Sequence, residues 1–104
     1  MPTPLSVLYL SFNEAQRVRA SLEQVSRVAD ELVCVDSGST DGTVAIFKEF
    51  GAEVFSRPLE NWGEQRNFGL DQCTNSWVLV LDCDEVPDEN MIAAINAWKK
   101  EEHS

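Results

Sequence analysis

Apolar runs of strand length, Leu5 to Leu10, Glu31 to Val35, Ala52 to Ser56 and Trp77 to Leu81, alternate along the chain with segments whose apolar positions recur every three or four residues. That alternation predicts repeated βαβ units and a mostly parallel sheet. After Asn13, the positions Ala15, Val18, Leu22, Val25 and Ala29 mark a helix with one buried face, and Asn13 is its expected cap. The loop Asp36-Ser37-Gly38-Ser39-Thr40-Asp41-Gly42 leads into a helix through Val44, Phe47 and Phe50 that Gly51 ends, with Gly38 and Gly42 expected at positive φ. Asn61, with Glu64 after it, forms a capping-box-like start for a helix reaching about Cys73. Pro87 and Asp88 open a last helix carrying Met91, Ile92, Ile95 and Trp98 on one face, and Lys99 to Ser104 reads as a frayed charged tail with His103 idle in it. Val78-Leu79-Val80-Leu81 lacks the alternation of a half-solvated strand and reads as buried on both faces.

The chain has 104 residues, enough for one modest domain, and no linker, repeat or low-complexity tract divides it. Its 8 basic and 18 acidic residues give a formal net charge of −10, which opposes nonspecific binding to phosphate backbones or anionic lipid, so nucleic acid is excluded as a partner. No apolar stretch approaches the roughly 18–20 residues of a membrane span, and no basic n-region opens the chain, so it reads as cytoplasmic. Cys34, Cys73 and Cys83 are odd in number and lack metal-ligand spacing; they read as small buried hydrophobes rather than a disulfide framework.

The chemistry gathers at strand ends. Asp82-Cys83-Asp84-Glu85 closes the fourth apolar run, and continued strand alternation points Asp82 and Asp84 the same way, with Cys83 opposite. Two carboxylates held together suit a hard divalent cation, Mg²⁺ or Mn²⁺, that bridges to a diphosphate; the alternative is an acidic cap on the next helix. Ser11-Phe12-Asn13-Glu14 after the first strand and Asp36-Ser37-Gly38 after the second add further polar clusters. Ligands of open α/β sheets bind outside the carboxyl ends of the strands, and convergence of these clusters favours the metal reading.

The motifs Ser11-Phe12-Asn13-Glu14, Val35 to Thr43, Gly63-Glu64-Gln65-Arg66-Asn67-Phe68-Gly69 and Leu81-Asp82-Cys83-Asp84-Glu85 occur in this order over a stretch from about Leu5 to about Trp98. In that order and spacing, the chain resembles the nucleotide-binding half of family 2 glycosyltransferases of the GT-A fold. The segment Asn61-Trp62-Gly63 to Phe68 resembles the branch containing lipopolysaccharide-core glucosyltransferases. The resemblance implies a three-layer α/β sandwich with four mainly parallel strands in the order 3-2-1-4, and a UDP-sugar as the favoured donor. It implies that Ser11, Asn13 and Glu14 line the nucleoside pocket, that Asp36 accepts a hydrogen bond from the base beside Gly38, and that Arg66 approaches base or diphosphate while Asn67 orders the same loop. Asp84 is implied as the direct metal ligand, with Asp82 contacting ribose or metal. The residues by themselves also allow Asp36 as a turn cap, Glu14 as a favourable charge at a helix start and Arg66 as a solvated helical charge. Trp62, Trp77 and Trp98 read as packing.

Complete members of that family continue past the Asp-x-Asp motif with strands that form the acceptor site and supply a general base. No residue here is assigned as that base, and the chain is expected to bind donor nucleotide weakly and to catalyse little transfer unaided. The resemblance also allows a parent enzyme peripheral to the inner membrane. Two other classes compete. A noncatalytic nucleotide-binding or interaction module would show the same binding motifs. A phosphoacceptor receiver domain needs an acidic pair after its first strand and a late strand-end Lys, and here only Asn13-Glu14 and the tail residues Lys99 and Lys100 are offered. Under the implied order the fourth strand lies at an edge, so a homodimer or larger assembly through that edge is expected.

Overall fold

The computed structural model describes residues 2–103. Its strands and helices alternate: β1 (Leu5–Ser11), α1 (Val18–Val25), β2 (Glu31–Asp36), α2 (Thr43–Glu49), β3 (Glu53–Ser56), α3 (Trp62–Gln72), β4 (Trp77–Leu81) and α4 (Glu89–Lys99). The strands form one parallel sheet in the order β3-β2-β1-β4, as the resemblance implied. Strand alternation divides the core. Val7 and Tyr9 of β1, Cys34 of β2 and Leu81 of β4 pack with Leu22, Phe47 and Ile92 from α1, α2 and α4. On the other face, Leu8, Val33 and Val35 pack with Phe68 of α3. The result is three layers.

Crossover handedness explains why α3 lies alone. Parallel connections are right-handed, so the steps from β1 to β2 to β3 place α1 and α2 on one face, and the return from β3 across to β4 places α3 on the other. The direction reverses between β1 and β4, and a crevice therefore opens at the carboxyl ends of those two strands.

Several local expectations are corrected. Helix α1 begins at Val18, with Arg17 rather than Asn13 at the N-cap position. Asn13 has φ 51°, and its side chain instead accepts the Thr40 amide at 2.8 Å. Its amide group is thus taken by the loop after β2, and a turn over Glu14–Arg17 intervenes before the helix, closed by the Arg17 amide on the Glu14 carbonyl at 3.0 Å. Gly38 and Gly51 have positive φ, but Gly42 sits at φ −82°. The strand β4 is not buried on both faces: it pairs with β1 alone, and Val80 is 38% exposed because nothing among the described residues covers its outer edge. The tail is pinned rather than frayed. The Thr3 amide donates to the Lys99 carbonyl at 2.8 Å, the Lys99 ammonium pairs with Asp30 at 2.7 Å, and the His103 ring stacks on Trp98 at 4.3 Å; Ser104 lies outside the described residues.

Helix α3 sits close on the sheet because Gly69 has no side chain. A Cβ there would stand 2.6 Å from Leu8 Cδ1 and 3.2 Å from Val35 Cγ2, and Leu8 and Val35 are wholly buried. Gly69→Val should therefore destabilise the fold by about 1–3 kcal/mol through overpacking, read as a lowered urea midpoint at unchanged m value. An unchanged midpoint would show that α3 can lift from the sheet at no cost.

Candidate functional site

The loops after β1 and β2 are built around one carboxylate. Asp36, the last residue of β2, is 2% exposed. Its Oδ1 accepts the hydroxyls of Ser11 at 2.7 Å and Ser39 at 2.6 Å, and its Oδ2 accepts the amides of Gly38 at 3.0 Å and Ser39 at 2.7 Å. A carboxylate offers about four lone-pair positions, and here protein donors take all of them. Burial alone would raise the Asp36 pKa, but the donors from Ser39, Ser11 and Gly38 outweigh it and hold the group below the usual carboxylate range. The positive φ of Gly38 lets its amide turn inward to join them.

The network continues outward. Ser39 Oγ accepts the Asn13 amide at 2.8 Å, Thr43 Oγ1 accepts the Glu14 amide at 2.8 Å, and Asp41 accepts the Ala15 amide at 3.2 Å. Asp36 thus fixes the second loop, and the second loop fixes Asn13 and Glu14. Gln65, wholly buried in α3, ties in the third element: its Nε2 donates to the Arg57 carbonyl at 2.8 Å and to Ser37 Oγ at 3.3 Å.

The loop after β4 is held separately. The Glu85 amide donates to the Asp82 carbonyl at 3.0 Å, and Glu85 Oε1 accepts the Asp82 amide at 2.8 Å. Asp82 and Asp84 therefore belong to a tight turn and not to a continued strand. The Tyr9 hydroxyl donates to Ser21 Oγ at 2.6 Å, and Ser21 donates to the Glu85 carbonyl at 2.5 Å, so the turn is bolted to α1. Burial pushes the Tyr9 pKa up to about 12, which keeps it a donor. Cys83 points away into packing as expected, 4% exposed, with burial pushing its thiol pKa up.

Between these loops lies a cleft of about 560 Å³ at the crevice between β1 and β4. It brings together Glu14, Arg66, Asp82 and Asp84 from the expected set. Asp36, Ser11 and Gly38 lie behind it as supports, Asn13 borders a neighbouring hollow with Asp41, and Asn67 is exposed on α3 outside the cleft lining. Arg66 and the carboxylates of Asp82 and Asp84 form no hydrogen bond or ion pair among the described residues. No cluster of three or more metal-ligating side chains occurs among those residues. A two-carboxylate donor set suits a hard cation whose remaining positions are filled by phosphate oxygens and water. Sequence reasoning missed Arg17, which also lines the cleft and is paired with Glu14 at 3.1 Å; the three-residue spacing from Glu14 was the available signal.

The family model for glycosyl transferase family 2 matches residues 6–104. The chain belongs to that family. A glycosyltransferase of Rickettsia conorii is 40% identical over 81 residues, 78% of this chain and 29% of that protein. The lipopolysaccharide core biosynthesis glycosyltransferase LpsC of Rhizobium meliloti is 34% identical over 91 residues, 83% of this chain and 33% of that protein. This family 2 chain thus spans about a third of the length of those relatives. Glucosyl-3-phosphoglycerate synthase from Mycobacterium tuberculosis, solved with Mn²⁺, UDP and glucosyl-3-phosphoglycerate, superposes with a TM-score of 0.69 at 26% identity over 82% of this chain and 36% of that one. TarS 1-349 of S. aureus shares the fold, with a TM-score of 0.72 at 24% identity over 91% of this chain and 32% of that one. Family membership sets aside the receiver-domain alternative.

Asp36 carries a testable consequence for stability. Its native pKa lies below its unfolded value, so its contribution is fully present above the ordinary carboxylate range and is lost as pH falls through the depressed native pKa. Asp36→Asn places a donor amide against donors and should cost about 1–3 kcal/mol at neutral pH. It should also flatten the acid limb of the stability curve, measured by urea unfolding between neutral and low pH. A variant as stable as the parent, with the same acid limb, would contradict the role given to this carboxylate.

Proposed function

We propose that this chain supplies the donor-binding part of a glycosyltransferase that transfers a sugar from a nucleotide donor, with UDP-sugar favoured, to a glycan or lipid-linked acceptor. The observation that carries the reading is the cleft at the β1–β4 crevice, where the unpaired carboxylates of Asp82 and Asp84 share one cavity with the unpaired guanidinium of Arg66. In a chain of net charge −10, an unpaired arginine beside bare carboxylates fits a ligand that brings both an anion and a divalent metal. Asp84 and Asp82 would hold Mg²⁺ or Mn²⁺, which when bound offsets negative charge on the departing nucleoside diphosphate. Arg66 neutralises the diphosphate from α3. Glu14 and Asn13 border the nucleoside, on loops that Ser11, Asp36 and Gly38 shape, and Asn67 helps order the loop that Arg66 approaches. In the transfer, the bond from the anomeric carbon to the diphosphate oxygen breaks, its electron pair leaves with the nucleoside diphosphate, and an acceptor oxygen forms the new bond while losing its proton. No described residue is assigned as the base for that proton. The likeness to LpsC supports a lipopolysaccharide-core acceptor.

Calorimetry with UDP, UDP-glucose and GDP, each with and without Mn²⁺, tests this reading. Uridine nucleotides should bind with Mn²⁺, and Asp84→Ala should abolish the Mn²⁺-dependent part of the affinity while leaving the urea midpoint unchanged. UDP affinity independent of both Mn²⁺ and Asp84 would refute the metal role.

The exposed edge of β4 supports a second element of the proposal, pairing with another strand. Its outer backbone groups have no sheet partner among the described residues, and Trp77 and Val80 beside them are 40% and 38% exposed. Open apolar edges template association. Sedimentation should show a homodimer or larger assembly as concentration rises from micromolar to millimolar, with the β4 amides slowed in hydrogen exchange. A monodisperse monomer whose β4 amides exchange freely would overturn it.

A further inference from the structure

Most aromatic rings here have an aromatic or cationic neighbour. Tyr9 meets Phe47 at 5.3 Å, Phe55 meets Phe68 at 5.8 Å, and Trp77 meets Trp98 at 5.4 Å; the Arg19 guanidinium lies 5.8 Å from the Phe50 ring. Among the described residues, the two rings without such a contact are Phe12 and Trp62. They are also the most exposed of the large hydrophobic side chains, at 53% and 58%, and both line the same cleft. Two large exposed rings in one cleft, bordered by charged side chains, form the kind of apolar patch that marks a binding groove.

The two rings sit in different chemical settings. Phe12 adjoins Asn13 and Glu14, on the loop that Asp36 shapes. Trp62 is the first residue of α3, one turn before Arg66, and residues four apart on a helix share a face. Trp62 and Arg66 thus form a single wall, and Asp82 and Asp84 border the same cavity from the β4 turn. The side chain of Asn61 accepts the Glu64 amide at 3.0 Å, which fixes the first turn of α3 and hence where Trp62 emerges. A flat, exposed indole in the cavity that Arg66 also lines suits a ligand group with an apolar C–H face. A pyranose has that form. On the donor-binding reading the base lies on the Phe12 side, beside Asn13 and Glu14, which leaves the sugar as the part of the donor with an apolar face for Trp62.

We propose that Trp62 is the platform on which the pyranose ring of the donor sugar rests, making it a specificity-determining residue distinct from those that hold the nucleotide. This rests on the donor-binding reading above. Trp62 therefore contributes to binding of a UDP-hexose and little to binding of UDP alone.

The test is a protein-observed NMR titration of the parent chain, Trp62→Ala and Trp62→Phe with UDP and with UDP-glucose, both in Mg²⁺. In the parent, the Trp62 indole N–H resonance should move clearly further with UDP-glucose than with UDP. Trp62→Ala should weaken UDP-glucose binding about threefold to tenfold, the size of one aromatic stacking contact, and leave UDP within about twofold. Trp62→Phe should restore most of the UDP-glucose affinity. Equal weakening for UDP and UDP-glucose would mean a base or diphosphate contact and would overturn the proposal, as would no weakening for either. If the parent binds neither nucleotide, the donor-binding reading itself fails and takes this one with it.

Discussion

The buried carboxylate of Asp36 is the constraint on which the upper edge of the sheet depends. A charge placed at 2% exposure in a small domain must be met by donors. Here they come from Ser11 at the end of β1 and from Gly38 and Ser39 in the next loop. Meeting that demand closes the loop after β2 into one conformation. Ser39 and Thr43 are then left with oxygens aimed at the amides of Asn13 and Glu14. The loop after β1 is therefore shaped from the outside, through bonds made by its neighbour. This is why α1 starts late and why Asn13 stands at positive φ.

A second, independent anchor holds the metal-type motif. The chain from Tyr9 through Ser21 to the Glu85 carbonyl runs inside the α1 face of the sheet and shares no hydrogen bond with Asp36. Glu85 spends its own carboxylate on the turn, accepting the Asp82 amide. Asp82 and Asp84 are left bare as a result. The division of labour among neighbouring acids is informative: in Asp82 to Glu85, one carboxylate builds the turn and two face the cleft. A helix-capping role belongs instead to Asp88, whose side chain accepts the Met91 amide at 2.8 Å.

Much of this was legible in the chain itself, and the misses have physical causes. The four strands, the face alternation within β1 and β2, and the caps at Asn61 and Asp88 follow from local period and turn chemistry, which act over a few residues. The strand order came from resemblance to a family, since periodicity says nothing about which strands pair. Asn13 was misassigned because its preferred local role, capping a helix, lost to a partner in the next loop, Thr40. Burial of β4 was overestimated because its apolar run reports the strand's composition and not its place at the edge. Arg17 escaped notice, and Trp62 was read as packing although it is 58% exposed. Local pattern could place neither, because the cleft that both line exists only once α3 has crossed the sheet.

On the proposed function, Asp82 and Asp84 hold a divalent cation together with a nucleoside diphosphate in the β1–β4 cleft. A chain with 18 acidic residues binds cations weakly in many places, so location matters more than affinity. Paramagnetic broadening by substoichiometric Mn²⁺, followed amide by amide with and without UDP, gives that location. UDP should concentrate the broadening on Asp82 to Asp84 and on Trp62 to Arg66, while Asp30, Glu31 and Glu53 at the far end of the sheet keep sharp signals. Broadening that UDP leaves unchanged, or that is strongest at those distant acids, would contradict it.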